Sequence, residues 1–128
     1  MDPSTKHVPV ETDLAVRRLI ARWAQLTDDR AHGPLVELLS EDCKFILGSD
    51  THVGRAAVRA LVEAAPSPSH HQVTNVVVSY GSQPDTVHAV SDLVFLLRIE
   101  GAWSVMGRGR YHDTLVGAGR DFQSASES

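Results

Sequence analysis

The chain has 128 residues, 42% hydrophobic and 22% charged, which suits one globular domain and excludes global disorder. Its formal net charge is −4 and its basic residues are scattered, so it lacks the clustered Lys and Arg that a nucleic-acid binder needs. Cys43 is the single cysteine, so no internal disulfide can form, and no stretch reaches the roughly 18 apolar residues of a membrane span or carries the apolar core of a signal peptide; a cytoplasmic protein without membrane contact is expected.

Residues 1–11 are polar, contain Pro3 and Pro9, and read as a flexible lead-in. A first helix is expected from Thr12 or Asp13, either of which can cap it, to about Asp29. Its Val16, Leu19, Ile20 and Trp23 recur at the spacing of a buried stripe. A short helix follows Gly33-Pro34, and Cys43 to Leu47 reads as a strand. Gly54 opens a third helix with Val58, Leu61, Val62 and Ala65 on one face, ended by Pro66 and Pro68.

The period then changes. His71–Tyr80, Thr86–Arg98 and Trp103–Val116 read as three long strands joined by turns at Gly81-Ser82 and Glu100-Gly101, an antiparallel meander. Gly107 and Gly109 inside the third strand permit a bulge or sharp bend. Residues 120–128 form a polar tail expected to fray, unless Phe122 anchors a last short strand. Helices first and antiparallel strands after define an α+β class. The expected shape is a cone-like roll, with N-terminal helices on a strongly curved, mostly antiparallel sheet that encloses a pocket.

Polar residues on faces that the pattern turns inward single out a site. Asp28 ends the first helix two turns beyond Ile20, near the stripe that meets the sheet, though a helix-terminal aspartate also suits a wet turn. His71 begins a strand and alternates with Val73, Asn75 and Val77, while His70 faces the other way. Asp92 alternates with Val90, Val94 and Leu96, with His88 nearer the rim of the same face. A carboxylate there must be paired, hydrogen-bonded or protonated, or else lie at an edge. Tyr111 and Asp113 are expected to share a face with Trp103 and Val105. No phosphate loop or nucleophile elbow is present, Cys43 reads as inert core, and His71, His88 and Asp92 lack any dedicated ligand spacing, so no metal is expected.

Several segments resemble a known family. "IARWAQLTDDRAHGPLVELLSEDCKF" from Ile20, "GRAAVRALVEA" from Gly54, "HHQVTNVVV" from His70 and "GRGRYHDTLV" from Gly107 are similar, in order and spacing, to SnoaL-like proteins of the superfamily named for nuclear transport factor 2. The resemblance covers about residues 12–117 and lies nearest to the scytalone dehydratase and bile-acid dehydratase branch. It implies an α+β cone with a deep pocket, in a superfamily whose activities are diverse. In that branch Asp28 falls on the aspartate position of the first helix, His71 on the histidine position, and Asp92 on a second acid. The branch's tyrosine position holds Trp23, whose indole donates one N–H bond but transfers no proton at ordinary pH. Tyr111 or water then supplies that function, or the chemistry differs.

Two functional readings follow. In the first, a cofactor-independent lyase, isomerase or cyclase acts on a small, mostly apolar carbonyl compound, with His71 as base and Asp28 fixing its tautomer. Trp23, Asp92, Tyr111, Trp103, Asn75 and His88 would line its substrate site. In the second, the chain is a non-catalytic ligand carrier or accessory subunit. Both expect a small apolar ligand and self-association as a homodimer or homotrimer.

Overall fold

The computed structural model describes residues 7–118 and, as backbone, 121–127. In chain order the elements are α1 (Val10–Asp28), α2 (His32–Glu37), β1 (Leu39–Leu47), β2 (Asp50–Val53), α3 (Arg55–Ala64), β3 (Ser69–Tyr80), β4 (Thr86–Ile99), β5 (Ala102–Ala118) and β6 (Asp121–Glu127). The strands form a six-stranded sheet in the order β2-β1-β6-β5-β4-β3, antiparallel throughout except where β1 runs parallel to β6. The α+β class and the meander are therefore as expected.

Helix α1 starts two residues before its expected caps. Pro9 takes the N-cap position without a side-chain cap, and its carbonyl accepts the Asp13 N–H at 3.0 Å. Asp13 instead pairs with Arg17 one turn on. Val8 is buried in the core, so the lead-in is anchored just before the helix. Val16, Ile20, Trp23 and Ala24 are buried at helical spacing.

The sheet and helices share two clusters of buried side chains. Val8, Val16 and Ile20 meet Val78, Val87, Ala89 and Leu115 under α1. Trp23, Leu26, Leu35, Leu39, Cys43, Val58 and Val62 form the second, where the three helices meet β1. Cys43 lies here at 1% exposure, and burial pushes its thiol above the usual range, which fits inert core.

Two elements depart from the sequence reading. Residues 50–53 form β2, a short partner for β1 after the Gly48 turn. Residues 121–127, read as a polar tail or a last short strand, are paired as β6 between β1 and β5, where both neighbours offer open backbone donors and acceptors.

Two irregularities decide which residues face the helices. Along β3, Ser69, His71 and Val73 pair with Leu97, Phe95 and Leu93, but the register shifts between Thr74 and Val77. Asn75 takes φ 54° there, and beyond it Val78 is buried while Val77 is 62% exposed. Along β5 the register shifts beside Met106, next to the expected bend at Gly107. Gly107, Gly109, Tyr111, Asp113 and Leu115 pair with Phe95, Leu93, Ser91, Ala89 and Val87, whereas Trp103 and Val105 pair with Arg98 and Leu96. The helix-facing side is thus Val87, Ala89 and Ser91 of β4, all buried, with Tyr111, Asp113 and Leu115 of β5.

Candidate active site

Asp28 is the last residue of α1, where the helix dipole disfavours a carboxylate. Three donors offset this. The Ser69 hydroxyl donates to Oδ1 at 3.0 Å, the His71 backbone N–H donates to Oδ2 at 2.7 Å, and His71 Nδ1 lies 2.6 Å from Oδ1. The side chains of His71 and Asp28 are 16% and 13% exposed, so the pair is largely sheltered yet reachable.

Local structure places the pair. Arg30 takes φ 56° just past α1, and its guanidinium donates to the carbonyls of Glu63 and Ala65 at the end of α3. The Ala31 N–H returns to the Leu26 carbonyl at 2.9 Å, closing the helix end. Arg17 donates to the Val76 carbonyl at 2.8 Å beside the β3 irregularity, tying α1 along the strand that carries His71. Alternation turns His70 outward; its side chain is 57% exposed, with Nδ1 3.8 Å from Asp28 Oδ2. The His71 ring packs on Phe95 with centroids 4.9 Å apart.

With an ionised Asp28 accepting at Nδ1, the imidazole proton sits on Nδ1 and Nε2 keeps its lone pair. That arrangement can remove a proton from a molecule seated against Nε2.

Between α1 and the inner face of the sheet lies a narrow cavity lined by Leu19, Ile20, Trp23, Val73, Tyr111, Asp113 and Leu115; neither His71 nor Asp28 is among its lining residues. Its free space is about 10 Å³, room for roughly one water. Val73 is the next helix-facing residue after His71, and Trp23 lies on α1 before Asp28. Trp23 also stacks on Phe45, centroids 6.4 Å apart.

The remaining candidates divide by face. Tyr111 and Trp23 line the cavity. Asp92, His88, Asn75 and Trp103 lie on the opposite face of the sheet, away from the helices. Asp92 is held at the surface by Arg110 Nε at 2.8 Å and Asn75 Nδ2 at 2.9 Å, and these two bonds keep its carboxyl below the usual carboxylate range. The expected inward face of β4 is thus one residue out of phase: Val87, Ala89 and Ser91 meet the core, and Asp92 does not. Asn75 and Trp103 leave the His71 and Tyr111 faces because each irregularity reverses the alternation. His88 stacks with His112 on the same outer face. Among the described residues no three His, Cys, Asp or Glu side chains gather as a metal site would require.

Two further polar residues emerge: Ser69, which the sequence reading did not mark, and Asp113, which it placed on the Tyr111 face without a role. Ser69 donates to Asp28, and its alternation with His71 from the strand's start is the signal that could have found it. Asp113 faces the cavity at 6% exposure, and burial pushes its carboxyl up to about 7. The Tyr111, Asp113, Leu115 alternation places it on the Tyr111 face.

Helices laid over one face of a mostly antiparallel sheet define an α+β roll, with an imidazole–carboxylate pair where the end of α1 meets the start of β3. The chain belongs to the SnoaL-like family, whose domain model matches residues 9–119. Among solved structures it is similar to Aln2 from a Streptomyces species, with 22% identity over 95% of this chain and 91% of that one and a TM-score of 0.83. It is also similar to a nuclear-transport-factor-2-like protein with a cystatin-like fold from Novosphingobium aromaticivorans, with 23% identity over 90% and 78% of the two chains and a TM-score of 0.78. A third, a candidate scytalone dehydratase from that organism, shares 16% identity over 91% and 80%, with a TM-score of 0.75. Likeness at these identities is likeness of fold. No curated protein matches the sequence. Among the described residues no helix is long and apolar enough to cross a membrane.

Proposed function

We propose that this chain performs cofactor-independent acid–base chemistry on a small, mostly apolar carbonyl compound, as a dehydratase, isomerase or cyclase. The observation that carries the reading is the His71–Asp28 pair, with Asp28 fixed by three donors from one strand. His71 Nε2 takes a proton from the carbon next to the carbonyl, and the electron pair moves into an enolate. The enolate then either expels a hydroxyl from the next carbon, which leaves as water with the proton held on Nε2, or takes that proton back at another carbon; both return His71 to its starting state. Trp23 and Tyr111 line the inward cavity under α1, where they offer apolar wall and a hydroxyl.

Proton abstraction can be read without the natural substrate. Deuterium uptake next to the carbonyl of 2-tetralone and of cyclohexenone, followed by NMR in heavy water, should exceed the buffer rate with the wild-type chain. His71→Ala should lower it about 100- to 10,000-fold while circular dichroism stays native. Equal rates in the two proteins would remove His71 from the chemistry.

One observation favours a non-catalytic ligand carrier instead: Trp23 belongs to the packed core, and the cavity as folded takes about one water. In that reading the ketones raise the melting temperature and no exchange occurs.

The outer face supports self-association as a homodimer or homotrimer. Val77, Trp103 and Val105 are each at least half exposed there, with Met106 beside them. Sedimentation equilibrium should report an oligomer that Val105→Asp weakens; a wild-type monomer at micromolar concentration ends this proposal.

A further inference from the structure

Away from His71 and Asp28, on the face of the sheet turned from the helices, two histidines stand together. His88 of β4 and His112 of β5 have ring centroids 5.9 Å apart and ring planes 26° from parallel. They occupy diagonal positions, since His88 pairs with Thr114 and His112 with Val90. His88 is partly buried and His112 exposed, so a solute ion can reach the pair.

The spacing suits a shared ion. Zinc–nitrogen bonds of about 2.0–2.1 Å set two imidazole centroids roughly 5–6 Å apart when both rings ligate one tetrahedral ion. The rings now stack, and rotation about the soft Cβ–Cγ torsion of each is what aims their nitrogens at a common point.

The surroundings leave the ligand set half complete. Around the pair the outer face carries Ser79 and Val77 of β3, Val90 of β4 and Thr114 of β5, none of them a metal ligand of choice. Asp92, farther along the same face of β4, is held by Arg110 at 2.8 Å and Asn75 at 2.9 Å. That ion pair also offsets the charge of Arg110, the next outward residue of β5 before His112. Among the described residues no third ligand joins the two histidines. A tetrahedral ion takes four, and a two-fold axis beside the pair turns two into four. Val77, 62% exposed and in register with Val90, provides apolar surface for a second copy at this place.

We propose that His88 and His112 form half of a divalent transition-metal site that a second copy of the chain completes across the outer face. The ion is one that favours imidazole, such as zinc, nickel or copper, and not magnesium or calcium. The inference rests on the self-association proposed above and deepens it: four histidines, two from each copy, surround one ion, and the assembly is a two-fold dimer.

Calorimetric titration of the wild-type chain with zinc chloride should show a step of one ion per two chains, of micromolar or tighter affinity. Sedimentation equilibrium should show that zinc raises the dimer fraction and EDTA lowers it, whereas magnesium chloride does nothing. His88→Ala and His112→Ala should each weaken the zinc step about 100-fold or more. His71→Ala should leave it intact, which separates it from any ion taken up beside Asp28. Both outer-face variants should keep the wild-type circular dichroism. Absence of the step overturns the assignment, as does one ion per chain without a change in mass, or a step that survives in both outer-face variants. The metal-free runs report separately on apolar association. A metal-free monomer that zinc converts to a dimer ends the apolar reading and keeps this one, and an oligomer indifferent to zinc does the reverse.

Discussion

Asp28→Asn should abolish proton abstraction with little loss of structure, and Asp28→Ala should abolish it while unfolding at a much lower temperature. The two differ in what they leave behind. The asparagine side chain keeps an oxygen for the His71 backbone N–H, which in the native chain bonds Asp28 Oδ2 at 2.7 Å. Its amide nitrogen then faces Nδ1 and donates to it. The ring proton must move to Nε2, and the base becomes an acid. A loss of about 100- to 10,000-fold in deuterium exchange is expected, the range for one positioned proton-transfer group. A long-range nitrogen–proton NMR correlation of His71 reads the tautomer directly. An unchanged tautomer in Asp28→Asn refutes the orientation argument. In Asp28→Ala the Ser69 hydroxyl, the His71 N–H and the ring all lose their acceptor, and Ser69 is buried. Stranding them costs about 3–5 kcal/mol. For a domain of this size that is a drop of roughly 10–20 °C in melting temperature. A shift below about 3 °C would mean that water replaces the carboxylate without cost.

Stability should fall as pH rises from about 4 to 7, the reverse of ordinary acid denaturation. The cause is Asp113, whose carboxyl burial pushes up to about 7 in the fold from an ordinary 3.8. The native chain therefore holds this proton more tightly than the unfolded chain does. The stabilisation is complete below the unfolded value and is lost as pH climbs through the folded one. Its size is on the order of 4 kcal/mol, at about 1.4 kcal/mol for each pH unit of displacement. Asp92, held by Arg110, and Glu63, held by Arg59, have lowered values and act with the opposite sign, but only in acid below their unfolded range. Urea midpoints at pH 5 and pH 8 should therefore favour pH 5 in the wild type. In Asp113→Leu the difference should vanish and the pH 8 midpoint should rise, since a buried carboxyl with one unbonded oxygen is replaced by hydrocarbon. Parallel pH profiles for the two proteins would contradict the burial argument.

Composition and periodicity made most of the fold legible. The stripe of α1, the α3 pattern and the three long strands are written in spacings that each element enforces locally. The Asp28–His71 pairing was legible through resemblance more than pattern, since no local rule brings a helix end to a strand start 43 residues on. What escaped was non-local. β2 is four residues long, and β6 reads as a polar tail because its strand character comes from two neighbours rather than from its own side chains. Asp92 was misplaced for a different reason. Both faces of β4 carry valine or leucine, so alternation alone could not say which side meets the helices. Asn75 and Trp103 were misassigned because strict alternation was carried across irregularities that the sequence marks only by a glycine near one of them.

Those two irregularities make chain length part of the pocket's chemistry. The faces of β3 and β5 are reversed beside Asn75 and Met106, without any change in side-chain type. A one-residue insertion or deletion at either place exchanges the lining of the pocket for the outer surface over the rest of the strand. Relatives that match residue for residue on either side of such a gap can therefore present different walls to their ligands. In this architecture, gap placement within β3 and β5 carries as much specificity information as the residues themselves.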